Sequence, residues 1–276
     1  MIQIGQYNTL SVFRKTSVGF YLGDEEGQEV LLPAKYAPPG LDRGQSLSVF
    51  VYKDSEDRLI ATTLQPKITL NHFALLRVNM LSPVGAFLDW GLEKDLLVPF
   101  REQPERMEEG KSYLVYLYLD ESTDRLVASG KLNRFLSNDG LTVQEGEEVE
   151  VLFWRPTNMG YTVIVNNRHK GLIYSSELYG PVPPGSVRTG YIAKIREGNK
   201  LDVQLRKPGY ASIEPSAEKI LEQLKKRKGF LPLTDNSPPE DIARLLDMSK
   251  KTFKKSVGLL YKQRLIRLEP DGIYLT

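Results

Sequence analysis

The feature that most restricts the fold of this 276-residue chain is a spaced pattern that occurs three times in register. Its first anchor is a glycine followed by apolar or aromatic strand formers: VGFYL at 18–22, VGAFL at 84–88 and MGYTV at 159–163. A short apolar run starts 11 residues after each glycine, as VLLP at 30–33, LLVP at 96–99 and GLIY at 171–174. The third anchor reads DRLIAT at 57–62, DRLVAS at 124–129 and NKLDVQL at 199–205. Gly19 to Gly85 is 66 residues and Asp57 to Asp124 is 67, while Gly85 to Gly160 and Leu126 to Leu201 are both 75. Anchors that keep this register describe one structural unit used three times.

Each unit reads as all-β. Between the second and third anchors lie RGQSLSVFVY at 43–52, EGKSYLVYLYL at 109–119 and PGSVRTGYIAKI at 184–195, with the period-two alternation of half-buried strands. About five strands in so short a span close a small barrel of OB type. Glycine inside a strand pattern marks a bulge or sharp bend, the role assigned to Gly19, Gly85 and Gly160. After Pro208 the texture becomes helical. SAEKILEQLKKRKG at 216–229 places Ile220, Leu221 and Leu224 at helical spacing, with Gly229 as a stop. Residues 238–266 read as two further helices, Pro239 in the first turn of one and Ser249 as N-cap of the other, before a hairpin turning at Pro270-Asp271-Gly272. The predicted fold is therefore mostly β with an α-helical C-terminal domain. Three tandem five-stranded OB-type barrels at 1–64, 65–135 and 146–208 precede a winged helix-turn-helix at 214–276, with linkers at 136–146 and 207–216.

Composition excludes several functions. With no cysteine and only His72 and His169, the chain lacks thiol nucleophiles and the usual zinc ligands. Neither a Walker A loop nor a GxGxxG motif occurs, and paired carboxylates such as Glu108 and Glu109 fall in turns, so no enzyme and no cofactor are predicted. MIQIGQYNTL is no secretory leader and no long apolar run exists, which predicts a cytoplasmic protein without membrane contact. Formal charge is −5 over residues 1–145, +3 over 146–210 and +4 over 211–276, which places any polyanion site in the C-terminal half.

With all four units in view, the chain resembles the conserved virulence factor B family of bacterial proteins. These combine RNA-binding repeats of the ribosomal S-one type with a C-terminal winged helix. The likeness rests on the order and register of the units, on LLP at 31–33 and LLVPF at 96–100, and on GYIAKIREGNKLDVQL at 190–205. It implies RNA binding and regulation of gene expression. S-one repeats typically show FGAFV and GLVHISEL, which put two aromatics and a histidine on the face where bases stack. The corresponding positions here are Val18, Val84 and Met159, then Tyr21, Phe87 and Thr162, then Pro33, Pro99 and Tyr174.

Single strands are held by aromatic faces beside cations that follow the phosphates. The third repeat offers the fullest set: Tyr161 and Tyr174 on neighbouring strands, Arg168, His169 and Lys170 before GLIY, and Lys194 and Arg196 in a later strand. In the second repeat the candidates are Phe87, Phe100 and Arg101, with packing as the competing role. Lys250, Lys251, Lys254 and Lys255 form a basic flank at the start of the last helix. Lysines suit phosphates better than base edges, because they lack arginine's fork. Lys225, Lys226, Arg227 and Lys228 are explained by the negative end of the first helix's dipole. The reading is a non-catalytic binder of single-stranded RNA that regulates gene expression. A DNA-binding regulator using the winged helix and a protein-interaction adaptor are the alternatives.

Overall fold

In a computed structural model, which describes residues 1–178, 180–207 and 215–276, every one of the three repeats folds as five strands. The first contains β1 (Tyr7–Lys15), β2 (Gly19–Gly23), β3 (Glu29–Pro33), β4 (Ser46–Lys53) and β5 (Leu59–Thr62). The second contains β6 (Phe73–Ser82), β7 (Gly85–Asp89), β8 (Leu96–Pro99), β9 (Ser112–Asp120) and β10 (Arg125–Ser129). The third contains β11 (Glu148–Thr157), β12 (Gly160–Val165), β13 (His169–Tyr174), β14 (Val187–Arg196) and β15 (Lys200–Gln204). The first and third sheets close into barrels in the order β1-β2-β3-β5-β4 and β11-β12-β13-β15-β14.

Closure depends on a short parallel seam, Leu31 beside Ile60 in the first barrel and Gly171 beside Leu201 in the third. The second repeat corrects the expectation of three barrels. It has the same strand order but stays an open sheet, β10-β9-β6-β7-β8, with no ladder between β8 and β10. At that seam the first barrel intervenes. Lys53 Nζ donates to the Asp124 carbonyl at 2.7 Å and pairs with its carboxylate, and Arg125 pairs with Asp57. The start of β10 is thereby tied to the neighbouring barrel, and a cavity of about 310 Å³ opens between β8 and β10.

The repeated glycine has a physical cause in all three units. A Cβ on Gly19, Gly85 or Gly160 would stand 2.2, 2.2 or 2.0 Å from the carbonyl oxygen of Leu32, Val98 or Ile173. Their φ angles of +150°, +158° and +153° lie where L side chains are strained. Just upstream, the hydroxyls of Thr16, Ser82 and Thr157 donate to the carbonyls of Gly19, Gly85 and Gly160 at 3.0, 3.1 and 3.2 Å. A bulge on the first strand of each unit, after Val12, Val78 and Phe153, completes the bend.

Where alternation fails, both faces of a strand are buried. On β4, Val49 and Val51 fill the first core, while Phe50 and Tyr52 point outward against Trp90 of the second unit at ring distances of 5.8 and 6.1 Å. On β12, Tyr161, Val163 and Val165 face inward, and Ile164 packs outward with Phe73, Leu114, Leu132 and Leu152 between the second and third units.

The C-terminal unit contains α1 (Pro215–Lys226), β16 (Phe230–Leu231), α2 (Pro239–Leu246), α3 (Lys250–Lys262), β17 (Ile266–Glu269) and β18 (Gly272–Leu275). Its core joins Ile220, Leu224, Ile242, Phe253, Val257 and Leu260. Helix α1 ends before the predicted Gly229, which has φ +91° and donates its N–H to the Leu224 carbonyl at 2.7 Å. Ser249 caps α3 by accepting from Thr252 N, as the sequence predicts. Glu269 pairs with Gly272 across the expected turn, and β16 adds a third strand, in the order β16-β18-β17, that no sequence signal announced. Residues 208–214 of the linker read at 207–216 lie outside those described. No helix among the described residues is long and apolar enough to cross a membrane.

Two glycine substitutions should act in opposite directions. Gly160→Ala forces a methyl against a backbone carbonyl and should cost roughly 3 kcal/mol or more. Gly258→Ala, mid-helix with open space around it, should gain about 0.5–1 kcal/mol. Scanning calorimetry of both variants beside the parent checks the pair.

Candidate nucleic-acid interface

The outer face of the third barrel is set by alternation along β13: Gly171 and Ile173 turn inward, and Lys170, Leu172 and Tyr174 turn outward. Across the β14–β15 hairpin, Lys194 stands opposite Asp202 and Arg196 opposite Lys200, while the intervening Ile195 and Leu201 face the core. The outward side chains of β13 and the hairpin's Arg196, Lys200 and Asp202 border a groove of about 790 Å³ whose lining also includes Met159 and Glu197. Asp202 is buried to 8% exposure, accepts from Arg196 Nε at 2.5 Å and takes the Tyr174 hydroxyl at 3.4 Å. It therefore serves as the anchor of the arginine and the ring. The Arg196 guanidinium stands 5.6 Å from the Tyr174 ring centre. Lys170 and Lys200 form no ion pair with a described residue, so their charge is available at the rim, whereas the exposed Lys194 does not border the groove. Met159, 62% exposed at the hairpin tip, supplies apolar surface at one end.

Other predicted residues are placed differently. Tyr161 is only 6% exposed and packs edge-on against Phe153 at 5.2 Å, so it belongs to the barrel core. Its position follows β12, where Tyr161 pairs with the inward Ile173. His169 is fully buried. Its Nδ1 donates to the Ser137 carbonyl at 2.7 Å, and its Nε2 accepts from Thr142 N and Oγ1 at 3.2 and 2.8 Å. These bonds require the neutral ring with the proton on Nδ1. The histidine thus pins the linker at 136–146 to the third barrel. Asn138 adds to this clamp, donating to the Lys170 and Asn199 carbonyls at 2.9 and 2.7 Å. Arg168 is exposed but does not border the groove.

In the second unit Phe87 is half-buried beside the open seam, where Lys94 also lies. Lys94 Nζ donates to the Lys53 and Asp54 carbonyls, and burial pushes its ammonium below lysine's ordinary range. Arg101 is paired with Asp120 at 2.8 Å, and Phe100, 37% exposed, is covered by Arg106 at 3.8 Å. The first barrel behaves likewise: Arg14 lies 3.6 Å over Tyr21 and pairs with Glu29. Cations of the first two units are thus largely consumed by internal partners, unlike those around the third groove. On α3, Lys251, Lys254 and Lys255 are exposed and Lys250 half-buried, with Lys254 3.6 Å from Asp235. No acidic residue occupies that helix's first turn. Sequence reading missed Lys200 and Asp202, although the Arg196–Lys200 spacing across a tight hairpin carried the signal.

Two domain descriptions match this architecture. An S1 domain covers residues 4–64 and 73–131, and a CvfB-like winged helix domain covers 218–275. Conserved virulence factor B of Staphylococcus saprophyticus is 24% identical over 99% of this chain and 94% of its own length. The protein of that name from Staphylococcus epidermidis is 26% identical over 84% and 80%. The chain thus carries S1 and CvfB-like winged helix domains and is similar over most of its length to proteins named Conserved virulence factor B. The uncharacterized protein YitL of Bacillus subtilis is 28% identical over 98% of this chain and 93% of the relative. A solved multidomain protein with nucleic acid binding domains from Streptococcus pneumoniae is 24% identical, spans 99% of this chain and 98% of its own, and superposes with a TM-score of 0.43.

Removing the buried imidazole should loosen the clamp without touching the groove. His169→Ala strands the Ser137 carbonyl and Thr142 N–H, and should lower stability by roughly 2 kcal/mol or more. The midpoint of urea unfolding reads this out.

Proposed function

We propose that this protein binds single-stranded RNA without catalysing a reaction, and that it acts in the cytoplasm as a regulator of gene expression. The third barrel holds the strand, and the basic start of α3 contacts phosphates. The observation that carries this reading is the groove itself, where Tyr174 and Met159 stand among Lys170, Arg196 and Lys200. An aromatic face beside cations such as Lys170 and Lys200, which form no ion pair with a described residue, is the arrangement that stacks a base and follows a backbone. Its buried acid, Asp202, is committed to Arg196 and Tyr174, which leaves that carboxylate unsuited to general-base work. Asn133 and Thr157 border the same groove and can address a ribose 2′-hydroxyl, which favours RNA over DNA. S1 and winged-helix domains suit the same role. The four-unit division at 1–64, 65–135, 146–208 and 214–276 is part of this proposal, with binding concentrated in the last two units.

Fluorescence anisotropy with single-stranded RNA, single-stranded DNA and duplex DNA at several salt concentrations tests it. RNA should bind best, with affinity falling log-linearly with salt. Lys170→Glu/Lys200→Glu should weaken binding about tenfold or more and flatten the salt slope by roughly 1.4, two phosphate contacts at 0.7 each. Preference for one duplex sequence would favour a DNA regulator, and no binding at low salt would favour a protein adaptor.

A further inference from the structure

Trp154 sits at the bulge of β11, where pairing with β12 slips between Phe153 and Arg155. The slip turns its ring away from the third core and toward the second unit, where it packs half-buried on Phe73, Leu114, Leu132, Leu152 and Ile164. The ring also borders a cleft of about 530 Å³ between those two units, which the repeat pattern did not foreshadow. Lys131 and Arg134 line one wall, and Arg155 lines the other. The Arg155 guanidinium stands 4.7 Å from the indole ring and the Lys170 ammonium 5.9 Å. Arg134 is neutralised by the buried Glu102 at 2.8 Å, whereas Lys131 and Arg155 form no ion pair with a described residue. Glu105 is the acidic side chain on the lining, so the free charge of the walls is positive.

An indole that only sealed the contact between two units would need apolar neighbours alone. Here cations converge on the ring, and their mutual repulsion is relieved when a polyanion enters. The cleft also joins the groove of the third barrel. Asn133 lines both, and Lys170, whose Nζ donates to Asn133 Oδ1 at 3.3 Å, stands at the boundary.

We propose that the cleft between the second and third units is a second nucleic-acid site. A strand leaving the third-barrel groove passes Lys170, stacks one base on Trp154 under the Arg155 guanidinium, and places phosphates near Lys131. This rests on the RNA-binding reading above and extends the path of the strand beyond one barrel.

The chain has two tryptophans, and Trp90 is only 2% exposed, so a change of indole emission on binding reports Trp154. The intact protein is titrated with oligouridylates of about 4 and about 16 nucleotides, the limits of site size for one OB fold, and emission and anisotropy are read together. The longer strand should quench the emission, and the shorter one should bind the groove without quenching. Trp154→Leu should weaken the longer strand about tenfold, the loss of one base stack, and leave the shorter one unchanged, while Trp154→Phe restores most of the affinity. Lys131→Glu/Arg155→Glu, on exposed positions outside the packed cluster, should weaken only the longer strand. If the longer strand binds and is weakened by Lys170→Glu/Lys200→Glu, yet leaves emission unchanged and tolerates Lys131→Glu/Arg155→Glu, the cleft site is wrong and the groove stands. If neither strand binds, both readings fall.

Discussion

The close approach of a glycine to a carbonyl oxygen is the constraint from which each repeat is built. At Gly19, Gly85 and Gly160 the backbone of one strand lies where any side chain would displace the neighbouring strand. That approach bends the first hairpin, and the bulge beside it sends the next side chains out of the core. The residue before each glycine is consequently lifted to a tip. Val18, Val84 and Met159 are 58%, 58% and 62% exposed, an apolar surface that the backbone geometry imposes in every copy. In the third copy that surface meets the groove, and the same bulge presents Trp154 to the cleft.

The repeats are not independent beads. Outward-facing aromatics of β4 complete the core of the second unit, and outward-facing Ile164 joins the cluster between the second and third. Such packing has a cost in symmetry. The first barrel pairs with Asp124 and Arg125 at the open seam of the second sheet, and its cations are spent on acids and carbonyls. At the third barrel's groove, Lys170 and Lys200 form no ion pair with a described residue. Identical topology thus yields one scaffold-like unit and one with an open, basic groove.

The matched S1 and winged helix domains account for the order of domains but leave the character of each face to be read residue by residue. The stacking positions usual in S1 repeats hold Val18, Tyr21 and Pro33 in the first unit and Val84, Phe87 and Pro99 in the second. In the third, Tyr174 takes the histidine position and is braced by Asp202 and Arg196.

What the sequence by itself determined is local and periodic. The three registers, the strand runs, the strained glycines, the Ser249 cap and the closing hairpin were all legible, because each depends on backbone sterics or on nearest neighbours along the chain. What only the tertiary structure decided concerns which way a side chain faces and what meets it there. His169 stands between Arg168 and Lys170 in sequence and Tyr161 lies in the same repeat, yet alternation turns both inward, one into the barrel and one onto its linker. Trp154 has no sequence signature, since its exposure arises from a one-residue slip and its partners come from another unit. The open second sheet was equally hidden, and so were the pairs Lys53–Asp124 and Asp57–Arg125 at its seam, which join residues of different repeats. Charge counts located the basic half correctly, but which cations stay free depends on acids brought close by folding, and that distance is not written in the order of residues.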